Sequence, residues 1–207
     1  ADGEATLDVS HILVAVERVP DLDTLGLDKA GIRRRKDDVT RLDLTPGLRT
    51  TNPRVYAAGD IVGGPLSVGA AHEQARIVVD NALLAFVPRR HTDVPRVVST
   101  DPEIAEVGYS ERTARTKFGT SFRVLRVPYA ENDKARARRE TYGVAKLIVS
   151  QRGRLLGAGI AGAGAAELAA LFSLALAARL DIPGLSRFAA PYPSLAEIAS
   201  RLGRATT

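Results

Sequence analysis

The sequence predicts an α+β fold, with a turn-rich first half leading into mostly antiparallel strands and later helices. Three observations carry this. The runs "RVVST", "IAEVGYS", "SFRVLRVPYA", "YGVAKLIVSQ" and "GRLLGAGIAG" are short, apolar and bounded by turn residues, as strands are. The stretch "KLIVSQRGRLLGA" joins two of them through a Gly-containing turn, "QRGR", which predicts a hairpin and therefore antiparallel neighbours. The long helical pattern at residues 164 to 180 follows the strands instead of alternating with them, so a parallel βαβ sheet is disfavoured.

Taken in order, "HILVAV" within "SHILVAVERVP" reads as a short buried strand closed by Pro20. The next forty residues hold strand-like pieces and turn residues (Gly26, Gly31, Pro46, Gly47, Pro53) and end in an apolar strand, "RVYAAGD". An amphipathic helix is predicted from about Gly69 to Phe86, with Ala71, Ala75, Val78, Val79 and Leu83 on one face. The segment "VPRRHTDVP", with two prolines and exposed charge, marks a domain boundary. Beyond it, a short helix fits "ERTARTKF" and a last one fits "SLAEIASRLG". In the long helix only Glu167, Ser173 and Arg179 are polar between Ala165 and Leu180, so it must be covered on more than one side. A second subunit or the rest of its own domain would serve.

The composition bounds the function. Hydrophobic residues make up 45% of the 207, which is a globular value. Cysteine is absent, which removes disulfides, thiolate metal sites and a thiol nucleophile from this chain. His11, His72 and His91 are too scattered for a ligand set, so no metal is expected. The net charge of +5 and the clusters "IRRRKDD" and "KARARRE" raise nucleic-acid binding. Both clusters are capped or interleaved with acids and lack stacking aromatics, so no nucleic-acid partner is expected. With no long apolar span and no signal-peptide pattern at the start, the protein reads as cytoplasmic, with no membrane partner.

Residues 157 to 162, "GAGIAG", fit the glycine pattern of a dinucleotide fingerprint, with Asp181 at about the right distance for a ribose contact. The fingerprint needs a second parallel strand ending in that acid. Here "LFSLALAARLD" continues a helix and "IPG" follows, so the glycines are read as allowing close backbone approach. The stretch "YAAGD" has two readings on its own: a tight strand-end turn, or small residues that let a ligand approach while Asp60 accepts hydrogen bonds from a polyol.

Four stretches in order, "TTNPRVYAAGD" followed by "GGP", "VVSTDPEIAEVGYSE", "NDKARARRETYGVAKLIVSQRGRLLGAGIAG" and "APYPSLAEI", resemble the C-terminal half of the pyridine nucleotide-disulfide oxidoreductases. This is the flavoprotein family of dihydrolipoamide dehydrogenase and mercuric reductase. The resemblance runs from about His11 onward. It implies that residues 1–19 end an NAD(P)H-domain segment, 20–92 close an α/β FAD-binding domain, and 93–207 form an antiparallel-sheet-plus-helices interface domain that makes a homodimer. It implies FAD as cofactor and NAD(P)H as substrate in the whole enzyme. The FAD fingerprint, the redox cysteine pair and the nicotinamide fingerprint would lie upstream, so the chain is expected to be a fragment, inactive alone. A stand-alone dimerisation module without cofactor is the alternative.

The resemblance also assigns roles. Asp60 would bind the ribityl chain of FAD, with Ala58 and Gly59 beside it, and the amides at Val68 and Gly69 would face the flavin pyrimidine end. Where the family has "ATGR" this chain has "AVER", placing Glu17 close to FAD. At the C-terminus, the family's His–Glu dyad becomes Tyr192 and Glu197, predicted as the catalytic pair completing the partner's site. Tyrosine, with a pKa of about 10, is a poor base at neutral pH but a good hydrogen-bonding group. Mercuric reductase has Tyr at the matching place, yet its C-terminal cysteine pair is missing here.

Overall fold

The computed structural model describes residues 6–16, 18–64, 66–84 and 94–205. The expected boundary segment falls largely on residues 85–93, and Glu17 also lies outside the described residues.

The second half is built on one five-stranded antiparallel sheet. Its strands are β1 (Arg96–Val98), β2 (Ile104–Gly108), β3 (Phe122–Pro128), β4 (Val144–Ser150) and β5 (Leu155–Ala161), in spatial order β1-β2-β5-β4-β3. The β4–β5 hairpin sits at the centre, with Leu147 opposite Ala158 and Ala145 opposite Ile160. β3 pairs with β4 along its whole length, from Phe122 opposite Ser150 to Pro128 opposite Val144. The α+β expectation holds, and all five strand segments form.

One face of the sheet is dry. Ala105, Val107, Ala145, Leu147, Ala158 and Ile160 are all buried there, at the alternating positions that strand geometry sends to one side. They pack in one core with Phe172 and Leu168 of the long helix (α4, Ala165–Ala177) and with Ile198 and Leu202 of the last helix (α6, Glu197–Arg204). Two short helices finish this half: α3 (Asp133–Arg138), capped by Asn132, and α5 (Ile182–Ser186), capped by Asp181. The helix over "ERTARTKF" is α2 (Glu111–Phe118), capped by the Ser110 side chain.

The "GAGIAG" glycines lie on β5 and just past it, between two antiparallel neighbours. A Cβ at Gly157 would collide with the Tyr109 backbone, and one at Gly162 would come within 2.6 Å of the Tyr129 ring. Asp181 holds the Gly184 amide at 2.8 Å. The motif is a packing device in an antiparallel sheet, with no parallel strand beside it.

The first half departs from expectation in three places. "HILVAV" forms no strand and is exposed, Leu13 at 91%, because no strand among the described residues lies beside it to complete a ladder. "RVYAAGD" contributes only a single bridge, Tyr56 to Arg49. The chain turns sharply on both sides of that bridge, at Leu48 (φ 65) and Gly59 (φ 84), which leaves no length for a strand. The predicted helix does form, as α1 (Val68–Leu83), but the expected face points outward, with Leu83 at 76% exposure. Its buried residues are Ala70, Gln74, Ile77 and Asn81. The two amides win that face because they satisfy backbone groups: Gln74 accepts from the Gly59 amide at 2.7 Å, and Asn81 donates to the Gly47 carbonyl at 3.0 Å.

Candidate functional site

Two groups of residues matter, one in each half. The first is a ledge around Gly59. Ala57 is buried, Ala58 is exposed, and Gly59 adopts a positive φ with open space where a Cβ would stand, the nearest atom being Ala71 Cβ at 4.0 Å. Gly59 permits that turn without strain. Asp60 then opens a short 3-10 turn to Val62, and its carboxylate, 43% exposed, lies 3.4 Å from Arg18 Nη1. The same guanidinium donates to the Leu66 carbonyl at 3.2 Å, so Arg18 ties Asp60 to the segment entering α1. At that entry Ser67 caps the helix by accepting the Ala70 amide at 3.2 Å. The amides of Val68 and Gly69, in the first turn, have no intrahelical acceptor and carry the positive end of the helix dipole.

The second group surrounds the segment before α6. Tyr192 is 73% exposed, and its hydroxyl donates to Asp133 Oδ2 at 3.3 Å. Glu197 Oε2 accepts the Ser194 amide at 3.3 Å, which is one half of a capping box in "SLAE". The Tyr192 and Glu197 side chains therefore each bond elsewhere, and the hydrogen bonds do not join them to each other. Asn132 and Asp133 were absent from the sequence reading of this site. An Asn three residues before the helical Ala135 is an N-cap signature that could have located α3 within the basic run.

The strongest ionisation effect described lies in the core behind this segment. Burial, and then the negative Glu103 nearby, push the Tyr129 phenol up to about 12. Its hydroxyl donates to the Ala163 carbonyl at 3.1 Å, which requires the proton. The basic clusters are locally compensated. Arg34 meets Asp23 at 2.6 Å, Arg35 meets Asp37 at 2.5 Å, and Arg138 meets Glu140 at 2.9 Å. The hydrogen bond from Arg35 holds the Asp37 carboxyl below the usual range. Among the described residues, no three His, Cys, Asp or Glu side chains converge on a metal-sized site, and no helix is long and apolar enough to cross a membrane.

A five-stranded antiparallel sheet with helices over its dry face is an α+β architecture that matches the dimerisation domain of flavoprotein disulfide reductases. Residues 94–202, just over half of the chain, match the family model described as the dimerisation domain of the pyridine nucleotide-disulphide oxidoreductases, and the chain belongs to that family. It is 34% identical to dihydrolipoyl dehydrogenase of Geobacillus stearothermophilus over 96% of its own length and 42% of that protein. To mercuric reductase of Staphylococcus aureus it is 36% identical, over 94% of this chain and 35% of the relative. Among solved structures it is similar to the HOCl-induced flavoprotein disulfide reductase RclA from Escherichia coli. The TM-score is 0.79 at 28% identity, over 93% of this chain and 44% of that one. LpdA from Mycobacterium tuberculosis gives the same TM-score, 0.79, over 90% of this chain and 40% of its own. The chain spans about two-fifths of the length of these relatives.

Proposed function

We propose that this chain is the C-terminal part of a cytoplasmic, homodimeric, FAD-dependent NAD(P)H oxidoreductase. Residues 20–92 would contribute flavin contacts and residues 93–207 the dimer interface. The observation that carries this reading is the family match over residues 94–202, in a chain spanning 42% of a dihydrolipoyl dehydrogenase and 35% of a mercuric reductase. The ledge in the first half supports the flavin assignment. It offers a small-residue approach at Ala58 and Gly59, a half-exposed carboxylate at Asp60, and a helix start at Val68 and Gly69. Asp60 would accept from the ribityl hydroxyls, and the α1 amides would stabilise negative charge at the pyrimidine end.

The chemistry FAD supplies when bound is acceptance of a hydride from NAD(P)H and onward delivery of two electrons to a disulfide or another acceptor. This chain's part is to bind, to orient and to close the partner's site. Tyr192 and Glu197 would stand at that site from across the dimer. A neutral phenol there suits orientation of the acceptor more than removal of a proton. The exposed ridge of α4 around Leu174, 72% exposed, would meet the partner subunit.

The test is flavin retention. Asp60→Ala in the intact enzyme is expected to weaken FAD binding by about 1–3 kcal/mol, the scale of a buried hydrogen-bonding group left unpaired. Unchanged flavin content after dialysis would remove Asp60 from the site. Tyr192→Phe is expected to slow the flavin-to-acceptor step in rapid-mixing experiments and to leave reduction by NAD(P)H unchanged. Little activity is expected with lipoamide, with a gain in Tyr192→His. The second reading, a stand-alone dimerisation module, is favoured by the self-contained core of the second half. A colourless intact protein would decide for it.

A further inference from the structure

Asn132 and Asp133, at the start of α3, both reach the segment that carries Tyr192. Asn132 is completely buried and bonds through both polar atoms of its amide: Oδ1 accepts the Ala135 amide at 3.0 Å, and Nδ2 donates to the Ser194 carbonyl at 2.9 Å. It pins the segment two residues past Tyr192. Asp133 takes the other end, accepting the Tyr192 hydroxyl at 3.3 Å. Arg136 Nη1 lies 4.0 Å from the opposite oxygen, Oδ1, so the carboxylate is held between a cation and the phenol. Tyr192 is flanked by two exposed prolines and is itself mostly exposed, so the contact at its tip, more than packing, sets the direction of the ring.

A phenol has one proton to give. While Asp133 holds it, Tyr192 presents oxygen lone pairs outward. The geometry points to Asp133 as the positioning residue for Tyr192, and to the pair as a hydrogen-bond acceptor unit offered to a thiol S–H at the reacting centre of the partner subunit. This rests on the role proposed above for Tyr192. It differs from that reading by placing Tyr192's acid partner on α3, whereas Glu197 is occupied with the Ser194 amide.

The experiment is a double-mutant cycle in the intact, FAD-loaded enzyme. The readout is oxidation of the NAD(P)H-reduced protein by the activated disulfide 5,5′-dithiobis(2-nitrobenzoate), followed by rapid mixing. Asp133→Ala is expected to slow this step about tenfold, the scale for loss of one hydrogen bond to a charged group. Asp133→Asn, which keeps an acceptor oxygen and the N-terminal turn of α3, is expected to recover most of the rate. In a Tyr192→Phe background Asp133→Ala should add nothing, since its effect runs through the hydroxyl. Flavin content and the rate of reduction by NAD(P)H serve as controls for folding. If the wild type does not react, or Tyr192→Phe matches it, Tyr192 has no such role and both readings fail. If Tyr192→Phe is slow but the Asp133 variants match the wild type, or slow the reaction equally in the Phe background, only the assignment of Asp133 is overturned.

Discussion

The two halves of this chain differ in how much of their own apolar surface they cover. Residues 94–205 enclose a core that includes Phe172, Leu147, Ile160, Ile198 and Leu202, each at 2% exposure or less. Residues 18–64 share a small cluster, Leu22, Leu27, Ile32, Leu42 and Ala57, held between turns with no strand or α-helix of their own. The following helix turns Val68, Val79 and Leu83 outward. The second half is a unit that its own sequence stabilises. The first has a smaller cluster and leaves more of its apolar side chains outward, and that contrast can be probed residue by residue.

The largest expected effect is in the large core. Phe172→Ala should cost about 3–5 kcal/mol, because a fully buried ring is lost and the sheet cannot close over the gap. Leu42→Ala should cost about 2 kcal/mol, since turns around a small cluster can relax into the space. Chemical denaturation followed by far-ultraviolet circular dichroism measures both, and equal costs would erase the contrast.

Leu174→Asp comes next. The residue is exposed on α4, so the substitution should leave the fold of one subunit intact. A dimer sealed through this ridge would lose about 3 kcal/mol or more from the uncompensated charge. Light scattering after size exclusion should show monomer, and a stable mutant dimer would place the interface elsewhere.

The Tyr129 phenol gives a pH dependence confined to the second half. Its folded value is raised to about 12, above the usual value of about 10. Between these values the unfolded chain releases the proton and the folded chain keeps it, so stability falls as pH rises through that window. The full loss is about 2–3 kcal/mol. Tyr129→Phe should flatten this slope, and a slope that survives would assign it to another group.

The smallest effect is expected at Arg18→Ala. Its ion pair with Asp60 is exposed on both sides, so folding stability should change by no more than about 1 kcal/mol. A larger change would mean that the first lobe is organised around this pair.

Legibility in the sequence follows the same division. Every strand of the sheet and helices α2, α4 and α6 could be read, because their periodic apolar positions meet partners within the same domain. The short helices α3 and α5 were missed, since five or six residues give too little periodicity and only their caps, Asn132 and Asp181, announce them. In the first half, apolar runs suggested strands that need a non-local partner, and none among the described residues supplies one to "HILVAV". The face of α1 was misjudged because hydropathy counts Gln74 and Asn81 as outward, while unmet backbone groups at Gly59 and Gly47 draw them in. Tyr192 and Glu197 could be singled out from motif position. Their actual partners, Asp133 and the Ser194 amide, depend on a contact spanning 59 residues and on a local cap.

The claim that one half is self-sufficient and the other is not is tested most directly by hydrogen–deuterium exchange, read peptide by peptide by mass spectrometry. Amides of β4, β5 and α4 should exchange only through global opening, whereas those of residues 21–64 should exchange orders of magnitude faster, through local opening. Equal protection in both halves, lost together in one cooperative step, would contradict the account.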